Sequence, residues 1–175
     1  YMLTDLALVD PVLALSAPAS VTASSGLDAL CHALESYTGR AANPLSMPFA
    51  ELGIKWIGKW LAPAVADGSH LEAREGMALG CLYASIALAN ANTHAVHALA
   101  YPLQGKNRIV HGKANSVLLP YVFKALAPAL PKKFAEMAAW MNLAPGVSLV
   151  EGITNLSQQI GIPPKMSDMG VTASQ

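Results

Sequence analysis

The chain of 175 residues has only two cysteines, Cys31 and Cys81, both in apolar helix-forming sequence and without metal-knuckle spacing. That argues against a disulfide scaffold and suits a reducing cytoplasm. Charge is equally sparse: Asp, Glu, Lys and Arg make up 13% of residues, the formal net charge is zero, and the basic residues are scattered. Nucleic acid and polybasic membrane contacts need a concentrated positive footprint, so neither is an expected partner. The longest apolar run, Met77 to Ala91, falls short of the roughly 20 residues that cross a bilayer. The N-terminus lacks the basic-then-apolar layout of a secretory signal. No Gly-rich strand-to-helix turn of the dinucleotide-binding kind is present, and there is no repeat or low-complexity segment.

What the chain does have is apolar mass, at 53% of residues. Its length suits one domain with a substantial core. The apolar surplus over charge implies a face that packs against something outside this sequence. Leu6–Val9 reads as a short strand stopped by Asp10-Pro11, and the remainder reads as helix. Ser24 or Ser25 is expected to cap the first long helix and Gly39 to end it. Asn43-Pro44 opens a second helix up to Leu61. Ser69-x-x-Glu72 forms a capping box before a third, along which Gly76, Gly80 and Ala84 permit close helix approach. Thr93 caps a short helix through His94, His97 and Tyr101 that Pro102 ends, and residues 104–110 form a loop. Helices near 113–127, 131–142 and 149–160 follow, the last behind a capping box at Ser148 and Glu151. The predicted class is all-α, a bundle of about seven helices with a short N-terminal strand.

Within that bundle, Asp28 and His32 stand four residues apart in helical sequence. Positions i and i+4 share a helix face, and a carboxylate beside an imidazole can grip a transition metal if further imidazoles arrive. His97 and His111 are the candidates, so that a second helix and the start of a third complete a set of four. Three imidazoles and one carboxylate favour Fe(II), with Zn(II), Co(II) and Ni(II) as competitors. His94 shares a face with His97 and stands as its partner or rival. Glu35, one turn past His32, is a candidate to orient the His32 ring, against the simpler reading of a solvated charge near a helix end. Alone, Asp28 would be a first-turn acid favoured by the helix dipole, and Cys31 a small core residue.

These residues carry a resemblance. Asp28-x-x-x-His32, the run Val96-His97-Ala98-Leu99-Ala100-Tyr101-Pro102-Leu103, and His111-Gly112-x-x-Asn115-x-x-Leu118-Leu119-Pro120 resemble the iron-dependent alcohol dehydrogenase family in order and separation. Asp10-Pro11, Pro18-x-x-x-Thr22-Ala23 and Leu156-x-x-x-Ile160-Gly161-Ile162-Pro163 extend the likeness along nearly the whole chain.

The resemblance implies the family's C-terminal helical domain, with Asp28, His32, His97 and His111 as metal ligands, Fe(II) or Zn(II) as the metal, and NAD or NADP as hydride carrier. It implies residues 1–20 as a connecting strand and linker, and 21–175 as the metal-binding catalytic domain, ending before the family's final helices. The dinucleotide-binding domain would precede this segment and is absent from it. Tyr101 stands where many relatives carry a further histidine near nicotinamide and substrate, which makes it the catalytic and cofactor-side candidate. With an unperturbed pKa of about 10, its hydroxyl is a hydrogen-bond donor rather than a base; plain packing is the other reading. Val21 is the second cofactor-side candidate. The implied partners are a small alcohol or aldehyde, the missing domain and a second copy of the chain as a homodimer. Turnover by this chain alone is expected to be poor. Glycerol- or diol-dehydrogenase-like, lactaldehyde-reductase-like and maleylacetate-reductase-like relatives stand beside that reading. So do a non-catalytic helical metal-binding module and a metal-free interaction domain.

Overall fold

A glycine closes the first long helix, and side-chain caps open only some of the others. The computed structural model describes residues 5–172, apart from the side chains of Lys106 and Asn107. Among them run α1 (Ala19–Thr38), α2 (Ser46–Ala66), α3 (Leu71–Ala91), α4 (Ala95–Asn107), α5 (His111–Leu126), α6 (Pro131–Trp140) and α7 (Leu149–Gln159), with 3-10 turns at Pro11–Ala14, Ala127–Ala129 and Met166–Met169. The all-α bundle expected from the sequence is what forms.

The core gathers around α1, which from Gly26 to Tyr37 is buried on every face but the one carrying Asp28 and His32. Leu27, Leu30 and Leu34 of α1 meet Ile54, Ile57 and Leu61 of α2 and Leu119 and Phe123 of α5, all fully buried. Each such side chain contributes about 1.5–3 kcal/mol of transfer free energy. A Cβ on Gly53 would lie 3.1 Å from the Ala84 nitrogen and 3.2 Å from the Ala33 Cβ, so α1, α2 and α3 converge there. Gly80 likewise faces Ile57 and Gly76 the Trp60 indole, as the four-residue spacing of small residues predicts. Arg74 fastens the start of α3 to the start of α1. Its guanidinium is buried and donates to Thr22 Oγ1 (2.7 Å), Gly68 O (2.9 Å) and Ala17 O (3.1 Å).

Several local expectations give way. Leu6–Val9 forms no strand: a strand needs a neighbour to satisfy its ladder, none is present among the described residues, and Leu8 is 86% exposed. Helix α1 starts at Ala19, so Ser24 and Ser25 are interior residues whose hydroxyls bond back to carbonyls one turn earlier. Asn43 caps α2 through Oδ1, which accepts from the Leu45 and Ser46 N–H groups, and the helix runs through Pro63 to Ala66. Helix α3 is capped by His70, whose Nδ1 accepts from the Ala73 N–H, while Ser69 bonds Asp67 instead. Helix α4 continues through Pro102 to Asn107 and stops at Arg108 in the left-handed conformation. The expected loop shrinks to residues 108–110. A proline deletes one helical bond, and packing on both sides outweighs that local loss. The Ser148–Glu151 capping box at α7 forms as expected.

Candidate metal centre

Three helices deliver the site. Helix α1 presents Asp28 and His32 on one face, α4 carries His97, and the three-residue turn after Asn107 makes His111 the first residue of α5. Helix α5 can lie against α1 because its second residue is Gly112, whose missing Cβ leaves room for the α1 backbone. One ligand atom from each of Asp28, His32, His97 and His111 falls within 4.8 Å of every other. His97 Nε2 lies 3.6 Å from Asp28 Oδ1 and His111 Nε2 lies 3.7 Å from Asp28 Oδ2. The His32 and His97 rings stack with centroids 4.7 Å apart, and His111 tilts against His97 at 5.3 Å. The four residues singled out in the sequence are brought to one point.

The chemistry of the set fits a divalent cation. His97 is 3% exposed, and its Nε2 is buried without a hydrogen-bond partner while facing the Asp28 carboxylate. A buried orphan nitrogen is costly, and a cation amid these atoms would satisfy it. The floor is closed and one side is open, since the His111 side chain is 41% exposed. A cation held there would keep an open side, as catalytic metal sites do and fully protein-ligated structural sites do not.

Electrostatics follow from the packing. Burial works to raise the Asp28 carboxyl, but the neighbouring His97 ring and the hydrogen bond from Asn115 outweigh it and hold the group below its ordinary range. Burial works to lower His97, and Asp28 and Glu35 together overcome it and push the imidazole up to about 9. His32 is lowered, because burial exceeds the attraction of Asp28.

Two residues of the site had no such role in the sequence reading. Glu35 does not orient His32. It is fully buried, and its Oε2 accepts from His97 Nδ1 at 2.6 Å while Oε1 accepts from the Val96 N–H at 2.7 Å. Its burial acts to raise the carboxyl, and the bonds from His97 and Val96 reverse that and keep it low. Asn115 donates from Nδ2 to Asp28 Oδ1 at 2.6 Å, and the same nitrogen lies 3.1 Å from His111 Nε2. Its i+4 spacing from His111 was the available signal.

The remaining candidates lie outside the four-residue cluster. His94 bridges Glu35 Oε1 (3.2 Å, through Nδ1) and Thr38 Oγ1 (2.8 Å, through Nε2). Cys31 is fully buried with its Sγ 3.9 Å from His97 Nδ1, and burial followed by the Glu35 and Asp28 carboxylates pushes the thiol well up. Tyr101 sits one turn beyond His97 on α4 and is 60% exposed. Val21, 51% exposed, sits two turns before Asp28 on α1 and lines a small cavity with Thr22, Arg74 and Cys81. A larger groove of about 970 Å³ runs between α5, α6 and α7, and none of the four clustered residues lines it. Converging ligand atoms locate chemistry better than cavity size, so the site is assigned to the cluster.

Comparison with known proteins places this geometry. Residues 22–175 match the family described as "Fe-containing alcohol dehydrogenase family, C-terminal". The chain is 42% identical over 177 aligned residues to 1,3-propanediol dehydrogenase of Klebsiella pneumoniae, covering 97% of this chain and 46% of that protein. Its fold superposes on the crystal structure of a 1,3-propanediol oxidoreductase with a TM-score of 0.91 at 43% identity, over 94% of this chain and 45% of that one. A sulfoacetaldehyde reductase from Bifidobacterium kashiwanohense, solved in complex with NAD+, superposes with a TM-score of 0.86 at 30% identity, over 95% of this chain and 44% of that one. The chain thus spans less than half the length of these proteins.

Proposed function

The chain belongs to the Fe-containing alcohol dehydrogenase family, and from that premise we propose that it is the metal-binding half of a dehydrogenase interconverting small alcohols and aldehydes. Asp28, His32, His97 and His111 hold one divalent ion, Fe(II) or Zn(II). The observation that carries this reading is their convergence within 4.8 Å around a buried, unpartnered His97 nitrogen.

The chemistry supplied by the groups when bound is Lewis-acid polarisation of the substrate oxygen by the ion and hydride exchange with NAD or NADP. The residues of this chain prepare for it. Asp28 brings the only carboxylate among the four and so offsets part of a dication's charge. His97 and the stacked His32 form a rigid floor, and the exposed side at His111 admits substrate. Tyr101, exposed one turn along from His97, donates a hydrogen bond on the nicotinamide and substrate side. Val21, on the same stripe of α1 as Asp28 because seven residues make nearly two turns, lines the approach of the cofactor. The exposed apolar stretch Leu6, Leu8, Val12 and Leu13 is the joint toward the dinucleotide-binding domain. The name of the Klebsiella relative supports a short diol as substrate, and the NAD+ complex of the Bifidobacterium reductase supports NAD. Free Cys31 and Cys81 are consistent with a reducing cytoplasm, and no helix of the described residues is long and apolar enough to cross a membrane.

The test is to load the purified chain with Co(II) and follow its ligand-field spectrum. One tightly bound ion per chain, severely weakened but still measurable in His97→Ala and spectrally shifted by azide or 1,3-propanediol, is the expected result. No stoichiometric ion would overturn the reading, and a bound ion indifferent to added ligands would make the site structural. Turnover by this chain with NAD(H) or NADP(H) is expected to be poor, since hydride transfer needs a cofactor fixed in near-attack geometry. Robust turnover would refute the division between the two halves.

A further inference from the structure

The carboxylate of Glu35 has no place in the four-residue cluster, yet it is fully buried with no Lys or Arg among its hydrogen-bond and ion-pair partners. It is held by three nitrogens of the α4 start: the Val96 N–H (2.7 Å) and His94 Nδ1 (3.2 Å) on Oε1, and His97 Nδ1 (2.6 Å) on Oε2. The first contact has a plain structural purpose. Helix α4 lacks a side-chain cap of its own, and Glu35 supplies one from α1 to an amide that would otherwise go unpaired. The His97 contact is not needed for that. Capping uses one oxygen, and the other points at a ring whose far nitrogen faces Asp28.

We infer that Glu35 is a positioning residue for the metal centre, which accepts the Nδ1–H of His97 and thereby fixes the tautomer and ring orientation that present Nε2 to Asp28, His32 and His111. The inference rests on the reading of those four as metal ligands. An ionised carboxylate only accepts hydrogen bonds, so the ring nitrogen 2.6 Å from it carries the hydrogen. In a neutral imidazole the lone pair is then on Nε2, aimed into the cluster, and the negative charge behind the ring makes that nitrogen a stronger donor to a cation. The stacking of His32 on His97 extends the constraint to a second ligand. Cys31, the other group near Nδ1, is 3.9 Å away and too weak a partner to fix the ring.

Glu35→Gln separates this role from capping. The amide oxygen still accepts from the Val96 N–H, but the amide NH2 now faces His97 Nδ1. That nitrogen becomes an acceptor, its hydrogen moves to Nε2, and the lone pair for the ion is gone. Co(II) affinity, measured by competition with a chromophoric chelator, is expected to fall about ten- to a hundredfold, with the metal-free chain still folding to the same helical content. In a His97→Ala background the same change is expected to cost nothing further. In the Zn(II)-loaded wild-type chain, histidine 15N spectra are expected to show His97 protonated at Nδ1 and coordinated through Nε2.

Wild-type affinity in Glu35→Gln, an equal loss in the His97→Ala background, or coordination through Nδ1 would each overturn the inference while leaving the metal reading standing. A wild-type chain that binds neither ion would remove both. The 15N measurement uses the unmutated chain, so the inference stays open to refutation even if Glu35→Gln does not fold.

Discussion

Gly112 lies against Ser24 so closely that a Cβ on the glycine would sit 2.7 Å from the serine carbonyl oxygen and 3.4 Å from the Asp28 Cβ. Helix α5 owes its place on α1, and His111 its place beside Asp28, to the absence of one methyl group. The obstructing atom is backbone, which cannot rotate away. Gly112→Ala is therefore expected to destabilise the chain by about 1–3 kcal/mol and to weaken Co(II) binding by separating His111 from the other ligands. Gly105→Ala is the control. Its Cβ meets nothing within 4 Å inside α4, so it should stabilise by roughly 0.5–1 kcal/mol through helix propensity and leave metal affinity alone. Urea melts and chelator competition on both variants check the pair.

Metal binding should be visible as stability. An ion that binds only the folded chain adds about 2.7 kcal/mol when its free concentration is about 100 times Kd. For a domain of this size that raises Tm by roughly 5–10 °C. The rise is expected with Zn(II), should reverse with a chelator, and should vanish in Asp28→Asn combined with His32→Ala. A Tm indifferent to the ion would count against the site.

The gathering of Asp28, His32, His97 and His111 was legible in the sequence for a physical reason. Asp28 and His32 share a face by helix geometry alone, and His97 and His111 needed only to be on helices that reach it. The partners of those four residues were hidden. Glu35 was read as acting sideways on its own helix, toward His32, because a single chain of letters shows i+3 neighbours and not the helix packed opposite. The four-residue offset of Asn115 from His111 was visible, but nothing in the sequence said that its amide would reach Asp28 on another helix. Local stops misled in the same way: Pro102 looked like a terminus, yet α4 runs past it to Asn107, because packing outweighs one lost hydrogen bond.

Burial of Arg74 predicts a purely structural defect. Its fork of three donations, to Thr22, Gly68 and Ala17, needs the planar guanidinium, and a lysine ammonium cannot span the same acceptors. Arg74→Lys is expected to cost about 2–4 kcal/mol by leaving buried carbonyls and a hydroxyl unpaired. The surviving folded fraction should bind Co(II) with normal affinity, since the clamp sits at the far end of α1 from His32.

The pH response of the metal-free chain has a sign fixed by His97. Its imidazole, ordinarily near 6.5, is pushed up to about 9 because Asp28 and Glu35 outweigh its burial. Its contribution to stability is complete below the ordinary value and is lost as pH rises from 6.5 through about 9. Asp28 and Glu35, both held low, contribute oppositely: their share is present above the ordinary carboxylate range and lost as pH falls through their lowered values. The urea midpoint of the apo chain should therefore decline between neutral and mildly alkaline pH, and His97→Ala should flatten that decline. Metal affinity should rise across the same interval, because the ion takes the nitrogen that the proton leaves.

Asn115 offers the sharpest test of whether the cluster is built for a cation. A carboxylate demands a donor, so it is the amide nitrogen that faces Asp28 Oδ1 at 2.6 Å, and the amide oxygen is left buried without a partner. Asn115→Asp replaces that donor by a second carboxylate of the same shape. Without metal, two acids share a nearly dry site, so the variant should be markedly less stable than the parent near neutral pH and should recover as pH falls and one acid takes up a proton. With Zn(II) bound, the added negative charge sits beside a dication and the penalty shrinks. The metal-induced rise in Tm is accordingly expected to be larger in Asn115→Asp than in the parent, although the apo protein is weaker. Melts of both proteins with and without Zn(II) read this directly, and an equal or smaller rise in the variant would mean that Asp28 does not face a cation.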